Sequence, residues 1–297
     1  MKGLIDFVQS QYDLNIKSVN IIYEKGLKKY YKIQTDEKFF LKNYGNNREE
    51  VEKELYKISI LNTQDYGIRY LRNKYNSATV KYYNTYYMLY PYYEPFDISQ
   101  TKGYGKATVN FWRVINSCNM EIERTRNYFE REEYNICIEK CKKPIIQYFD
   151  EEKFKILKKL SEINSDKVGL ENYSIIHGDM TLNNMLFNGE RLILIDYEDV
   201  CRGDFYADIA TMVISFCSKS LIEECKLFLS ELESIGNFVI DYKKLNKFIY
   251  YELMRSIIII LKNNGIYLRV PICRIVVDLY INVIKRLVIA NNFDFQL

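Results

Sequence analysis

Residues 173–199, YSIIHGDMTLNNMLFNGERLILIDYED, constrain this chain more than any other stretch. A short apolar run, Tyr173 to Ile176, ends at His177-Gly178-Asp179, and a polar loop continues to Asn183-Asn184. The apolar triplet Met185-Leu186-Phe187 then leads into Asn188-Gly189, the strongest short hairpin signal a sequence can carry. The return strand, Leu192 to Ile195, delivers Asp196 at its end. This pattern predicts two strands joined by a tight turn, with Asp179, Asn184 and Asp196 near one another. Two carboxylates and an amide oxygen are hard ligands, suited to Mg²⁺ and to the phosphates it carries.

Composition narrows the remaining classes. A chain of 297 residues is long enough to bury a large core in one or two domains. Its formal charge of +3 is too mild for a nucleic-acid binder, which needs a concentrated basic face, and here Lys and Arg are interleaved with acids. Seven cysteines at irregular spacing, with His177 as the single histidine, complete no zinc site and fit reduced thiols in a cytoplasmic compartment. The start, MKGLIDFVQSQYDL, lacks the apolar stretch of a signal peptide, and the later apolar runs are short or broken by Asp278, Lys285 and Arg286. No membrane span is expected.

Along the chain, 18–44 reads as three short strands with turns at Lys25-Gly26 and Thr35-Asp36. Residues 47–62 form an amphipathic helix with Val51, Leu55, Ile58 and Leu61 on one face, capped by Asn46 or Asn47. A further hairpin turns at Asn84-Thr85. From about 105 to 168 the period is helical, with Pro144 separating two helices. Four more helical segments follow the central hairpin, at 205–218, 220–233, 243–262 and 272–291. The expected layout is α+β, with a small β-rich amino-terminal lobe over 1–93 and a larger, mainly helical lobe over 94–297.

H-G-D-x-x-x-x-N, an apolar strand and I-D-Y-E together resemble the catalytic core of the aminoglycoside phosphotransferase and choline kinase superfamily. The resemblance implies a two-lobed protein-kinase-like fold and Mg²⁺-dependent phosphoryl transfer from ATP or GTP to a small-molecule hydroxyl. Asp179 becomes the base that accepts the hydroxyl proton, Asn184 and Asp196 hold Mg²⁺, and His177 orients the loop. Gly203-Asp204-Phe205-Tyr206-Ala207-Asp208-Ile209-Ala210 is similar to the family's G-D-P-x-x-D-L-A, with Phe205 in place of proline. Asp208 then accepts hydrogen bonds from the catalytic-loop backbone. On the third strand Lys42 takes the place of the phosphate-contacting lysine, with Glu54 as its partner and Glu50 as the second candidate. Met88 to Tyr93 falls at the interlobe hinge, where Tyr90 or Tyr92 could stack on the nucleotide base. Read without the family, Lys42 is a strand-face lysine and the tyrosines are core. The phosphate-covering turn departs from the protein-kinase pattern, since Gly26 is its single glycine.

Protein substrates need a docking segment between the metal-binding aspartate and the next helix, and only eleven residues separate Asp196 from Asp208. Within the superfamily, Y-K-I-x-T-D-x-x-F-F-L-K and H-G-D-x-T-x-N-N-x-L look most like the CotS-type spore coat proteins. Two functions of different class follow. One is an active small-molecule kinase in the cytoplasm. The other is a kinase-fold coat protein with vestigial or no catalysis, partnered by other coat proteins. Intact Lys42, Glu54, Asp179, Asn184 and Asp196 favour activity. Glu198, Asp199 and Asp204 are too generic to identify the acceptor.

Overall fold

The computed structural model describes residues 2–25, 28–63, 66, 68–93, 103–127, 131–162, 174–187, 192–236, 238–262 and 265–286. These form two compact units, the first made of Met1–Ile98, Ser117–Met120 and Met185–Glu198, the second of the remainder.

In the first unit the strands β1 (Ser18–Lys25), β2 (Lys28–Gln34), β3 (Lys38–Asn43), β4 (Thr79–Tyr82) and β5 (Thr85–Pro91) form one sheet in the order β1-β2-β3-β5-β4. All neighbours are antiparallel, and the three amino-terminal strands lie where alternation placed them. Successive side chains on a strand point to opposite faces. Phe39 and Leu41 on β3 therefore share a face with Tyr31, Ile33, Tyr87 and Leu89, a buried apolar layer. The opposite face carries Phe40, Lys42, Met88 and Tyr90, because Phe40 pairs with Tyr90 and Lys42 with Met88. Tyr83, in the turn of the second hairpin, has φ +52°.

A helix that the sequence reading did not assign, α1 (Lys2–Tyr12), covers the apolar layer. Its buried residues are Leu4, Val8 and Tyr12, one per turn. Five apolar side chains fall in its eleven residues, Leu4, Ile5, Phe7, Val8 and Tyr12, and the sheet selects the face by burying three of them. The next helix, α2 (Arg48–Thr63), begins where Asn47 Oδ1 accepts from the Glu50 N–H at 3.3 Å. Met185–Phe187 (β7) and Leu192–Leu194 (β8) pair in register as a separate ribbon. Asn188-Gly189 lies outside the described residues.

The second unit is mainly helical: α3 (Tyr104–Ser117), α4 (Arg131–Lys140), α5 (Lys142–Tyr148), α6 (Glu151–Glu162), α7 (Phe205–Ser218), α8 (Ile222–Gly236), α9 (Tyr242–Leu261) and α10 (Pro271–Ile284). Pro144 does not separate two helices, as the sequence suggested. The break falls at Cys141, and Pro144 sits in the first turn of α5. No intrahelical acceptor exists there for its missing N–H, so proline is tolerated. At the centre, α7 buries Ile209, Met212, Val213 and Phe216, and α9 buries Leu245, Phe248, Ile249, Leu253 and Ile257. A short antiparallel pair, β6 (Ser174–Ile176) with β9 (Cys201–Gly203), leads into the His177 loop and into α7. Among the described residues, no helix is long and apolar enough to cross a membrane.

Candidate active site

Lys42 lies in the first unit, on the face of β3 opposite the apolar layer, and is 5% exposed. Its Nζ is 3.2 and 3.1 Å from the two carboxylate oxygens of Glu54 on α2. It also lies 2.9 Å from Asp196 Oδ1 and 3.0 Å from Glu198 Oε1. Burial lowers the pKa of the ammonium, but Glu54, Asp196 and Glu198 outweigh it and hold the Lys42 pKa well above its ordinary value. Burial likewise raises the Glu54 carboxyl, against the pull of Lys42. Glu50, the other candidate partner, is exposed.

One ammonium among three carboxylates leaves a formal excess of two negative charges. Oxygens of Glu54, Asp196 and Glu198 all lie within 4.8 Å of one another, a set of hard ligands that fits a divalent cation such as Mg²⁺. Asp196 has φ +65°, a conformation that non-glycine residues adopt sparingly and that turns the chain just after β8. One helical turn beyond Glu54, Lys57 Nζ donates to the carbonyls of Tyr197 (2.7 Å) and Glu198 (3.1 Å). The acidic segment is thereby tied to α2.

The two tyrosines differ. Tyr90 is buried, and its hydroxyl is 2.7 Å from that of Tyr44. Burial raises the pKa of both phenols well above the ordinary value. Tyr92 is half-buried, with Lys32 Nζ 4.1 Å from its ring centroid.

Asp179 and Asn184 belong to the second unit, in the loop that follows β6. Asn184 Nδ2 donates to the Asp179 backbone carbonyl and to Asp179 Oδ2, both at 2.8 Å. That orientation leaves Oδ1 as the atom a cation would meet. Asp208 on α7 accepts from the backbone N–H of His177 (2.8 Å) and Gly178 (2.9 Å) and from Trp112 Nε1 (2.9 Å). The motif had implied its backbone bonds. Burial pushes the Asp208 pKa up, with His177 and these donors pulling the other way. Gly178 has φ +80°, and a Cβ there would stand 2.1 Å from the Asp199 carbonyl oxygen, so only glycine fits. His177 packs against Phe111 with its ring tilted by 60° and the centroids 5.3 Å apart.

The structure thus gathers Lys42, Glu54 and Asp196 in one unit and Asp179 and Asn184 in the other. Sequence reasoning treated Glu198 as generic and passed over Lys57, Trp112, Arg126 and Glu252. For Lys57 a signal existed: it follows Glu54 by three positions and so shares its helix face. Trp112, Arg126 and Glu252 come from distant segments and carried no local signal.

Residues 115–233 match the phosphotransferase enzyme family. No curated protein matches the chain by sequence. Solved structures resemble it throughout. Spectinomycin phosphotransferase, in complex with ADP and spectinomycin, is 15% identical with a TM-score of 0.67, covering 100% of this chain and 98% of that one. Amicoumacin kinase, in complex with AMP-PNP, Ca²⁺ and Ami, is 11% identical with a TM-score of 0.64, over 97% of this chain and 93% of that one. The choline kinase LicA from Streptococcus pneumoniae is 17% identical with a TM-score of 0.60, over 96% and 97%. The fold is therefore the kinase-like α+β fold.

Proposed function

We propose that this chain is a Mg²⁺- and ATP-dependent phosphotransferase acting on the hydroxyl of a small molecule. The observation that carries the reading is the buried Lys42–Glu54 pair closed on Asp196 and Glu198. Burying such charges is expensive, and replacing them with apolar groups would serve stability as well. A phosphate site explains them. Support also comes from the family match over 115–233 and from neighbours solved with ADP or AMP-PNP.

In this reading Asp196 and Asn184 would hold Mg²⁺, with Glu198 as a further carboxylate in the first unit's cluster. The ion would supply positive charge against the phosphates. Lys42 contacts the α- and β-phosphates, and Glu54 aims it. Asp179 accepts the acceptor's proton as its oxygen bonds to the γ-phosphorus and the bond to the departing ADP breaks. Tyr92 is the better placed of the two tyrosines to meet a nucleotide base, since Tyr90 is buried. The amino-terminal lobe over 1–93 supplies the nucleotide side, and 94–297 the acceptor side.

A second reading, a CotS-like coat protein without turnover, draws on the single glycine of the β1–β2 turn. Localisation follows the reading, cytoplasm for the enzyme and spore coat for the scaffold. Thermal shift with ATP, with and without Mg²⁺, tests the first requirement. ADP release is then followed with amino-alcohols, aminoglycosides and sugars, against water as background acceptor. Mg²⁺-dependent stabilisation by ATP and an acceptor-stimulated rate are expected. A protein that ATP does not stabilise defeats the enzyme, and binding without stimulated turnover favours the scaffold.

A further inference from the structure

The peptide group between Gly178 and Asp179 is the last backbone unit before the proposed base, and its carbonyl is held from an unexpected direction. Arg126 Nη1 donates to the Gly178 carbonyl oxygen. The same guanidinium grips Glu252 on α9 with two bonds, Nε to Oε1 at 3.1 Å and Nη2 to Oε2 at 2.6 Å. Both side chains are 2% exposed. We infer that Arg126 and Glu252 are positioning residues that set the orientation of Asp179 for proton transfer, an inference that rests on the phosphotransferase reading.

Geometry carries the argument. A bidentate carboxylate fixes the plane of a guanidinium, because the fork has no freedom left to turn. With two donors committed to Glu252, the direction of the third is determined, and it points at one carbonyl. Arg126 is itself anchored through its backbone N–H, which donates to the Arg202 carbonyl at 2.7 Å, and Arg202 N–H donates back to Arg124 at 2.8 Å. The base loop is therefore clamped from both sides. Asp208 takes the N–H groups of His177 and Gly178, Arg126 takes the Gly178 carbonyl, and the Asp179 N–H donates to His177 Nδ1 at 3.3 Å. Rotation about the Gly178 torsions would swing Asp179, and each peptide plane flanking Gly178 is held. Glu252 is shared, since Arg255 Nη1 lies 3.7 Å from Oε2. A fully buried charge pair is not required for stability, where apolar residues of equal volume do as well or better. Orientation of a catalytic group is something it supplies and they do not. A displacement of about 1 Å in a reacting group costs on the order of 10²-fold in rate.

The test uses the full chain. Arg126→Lys keeps the charge but presents a point donor that cannot serve Glu252 and Gly178 in one plane. Arg126→Met with Glu252→Leu removes both charges together, so neither is left buried alone. For each, kcat is expected to fall roughly 10- to 10²-fold while Mg-ATP affinity and acceptor KM stay within about threefold. Amide exchange at Gly178 and Asp179 should quicken about tenfold or more, with α7 unchanged. Should the double variant fail to fold, Glu252→Gln, which preserves shape, is expected to shift kcat and exchange in the same direction by less. A folded variant with parental kcat overturns the inference, as does unchanged exchange at Gly178–Asp179. If the parent transfers phosphate to no acceptor, the phosphotransferase reading fails, and the exchange comparison still decides whether Arg126 clamps the loop.

Discussion

The Lys42 cluster and the Asp179 loop solve the same problem, holding a few polar atoms still, by opposite means. In the first unit the restraint is charge against charge, with one buried ammonium facing three carboxylates. Asp196 and Glu198 keep 38% and 32% of their side-chain surface exposed, so part of that cluster remains open to ions. In the second unit the restraint is on the backbone, where Asp208 and Arg126 hold the peptide groups of residues 177–179. Charge clusters respond to what binds them and to solvent conditions.

The largest effect is expected at Asp179. Asp179→Asn keeps the shape of the side chain and should lower acceptor-stimulated turnover by about 10²- to 10⁴-fold. Its melting temperature and Mg-ATP affinity should match the parent, because the loop is held through its backbone. A marked loss of melting temperature would mean that the carboxylate itself holds the loop, and the contrast with the Lys42 cluster would break.

Lys42→Met comes next. It leaves Glu54, 3% exposed, without its counter-charge, and should cost about 3–5 kcal/mol in urea unfolding. Lys42→Met with Glu54→Leu should recover most of that stability yet still lose Mg-ATP binding. Equal destabilisation of the single and double variants would show that the pair is not an ion pair in energetic terms.

Alkaline titration sharpens the same comparison. Burial raises Tyr44, Tyr90 and Tyr197 well above the ordinary phenol value, and Tyr87 is pushed up to about 12. The folded state then keeps protons that the unfolded chain releases from about pH 10 upward. Stability contributed by these groups is complete below that pH and is lost as the pH climbs through the folded values. Lys42, also raised, adds in the same direction. Tyr104 and Tyr134 in the second unit are raised by burial as well, so both units are expected to lose stability over the same range. Tyrosinate absorbance and the fluorescence of Trp112, the single tryptophan, should therefore change together. A tyrosinate rise that leaves Trp112 fluorescence unchanged would show that the two units respond separately.

Trp112→Phe should have the smallest effect. It removes one of three donors to Asp208 and leaves both backbone donors, at a cost of about 1–1.5 kcal/mol in urea unfolding with nucleotide affinity unchanged. A loss of nucleotide affinity would place Trp112 within the first unit's chemistry instead.

What the sequence determined by itself is local. Alternation along 28–43 sets two strands and puts Lys42 on the face opposite Phe39 and Leu41, because a strand's side chains change sides at every residue. The helical period of 48–63 brings Glu54, Lys57, Ile58 and Leu61 to one buried side. Gly178 was legible as a turn residue, and Asp208 as a side chain in the first turn of a helix opened by Asp204. Tertiary structure decided the rest. It chose Glu54 over Glu50 as the partner of Lys42, buried Tyr90 against Tyr44, and paired β6 with β9 across 24 intervening residues. It recruited Trp112, Arg126 and Glu252 to the Asp179 loop from α3, an extended segment and α9. Nor could α1 be read alone, since Leu4, Val8 and Tyr12 become a helix face only where the sheet offers a surface to bury them. The reason is physical. Backbone geometry repeats over a few residues and writes its period into neighbours, whereas a contact between distant segments depends on which surfaces meet when the chain closes.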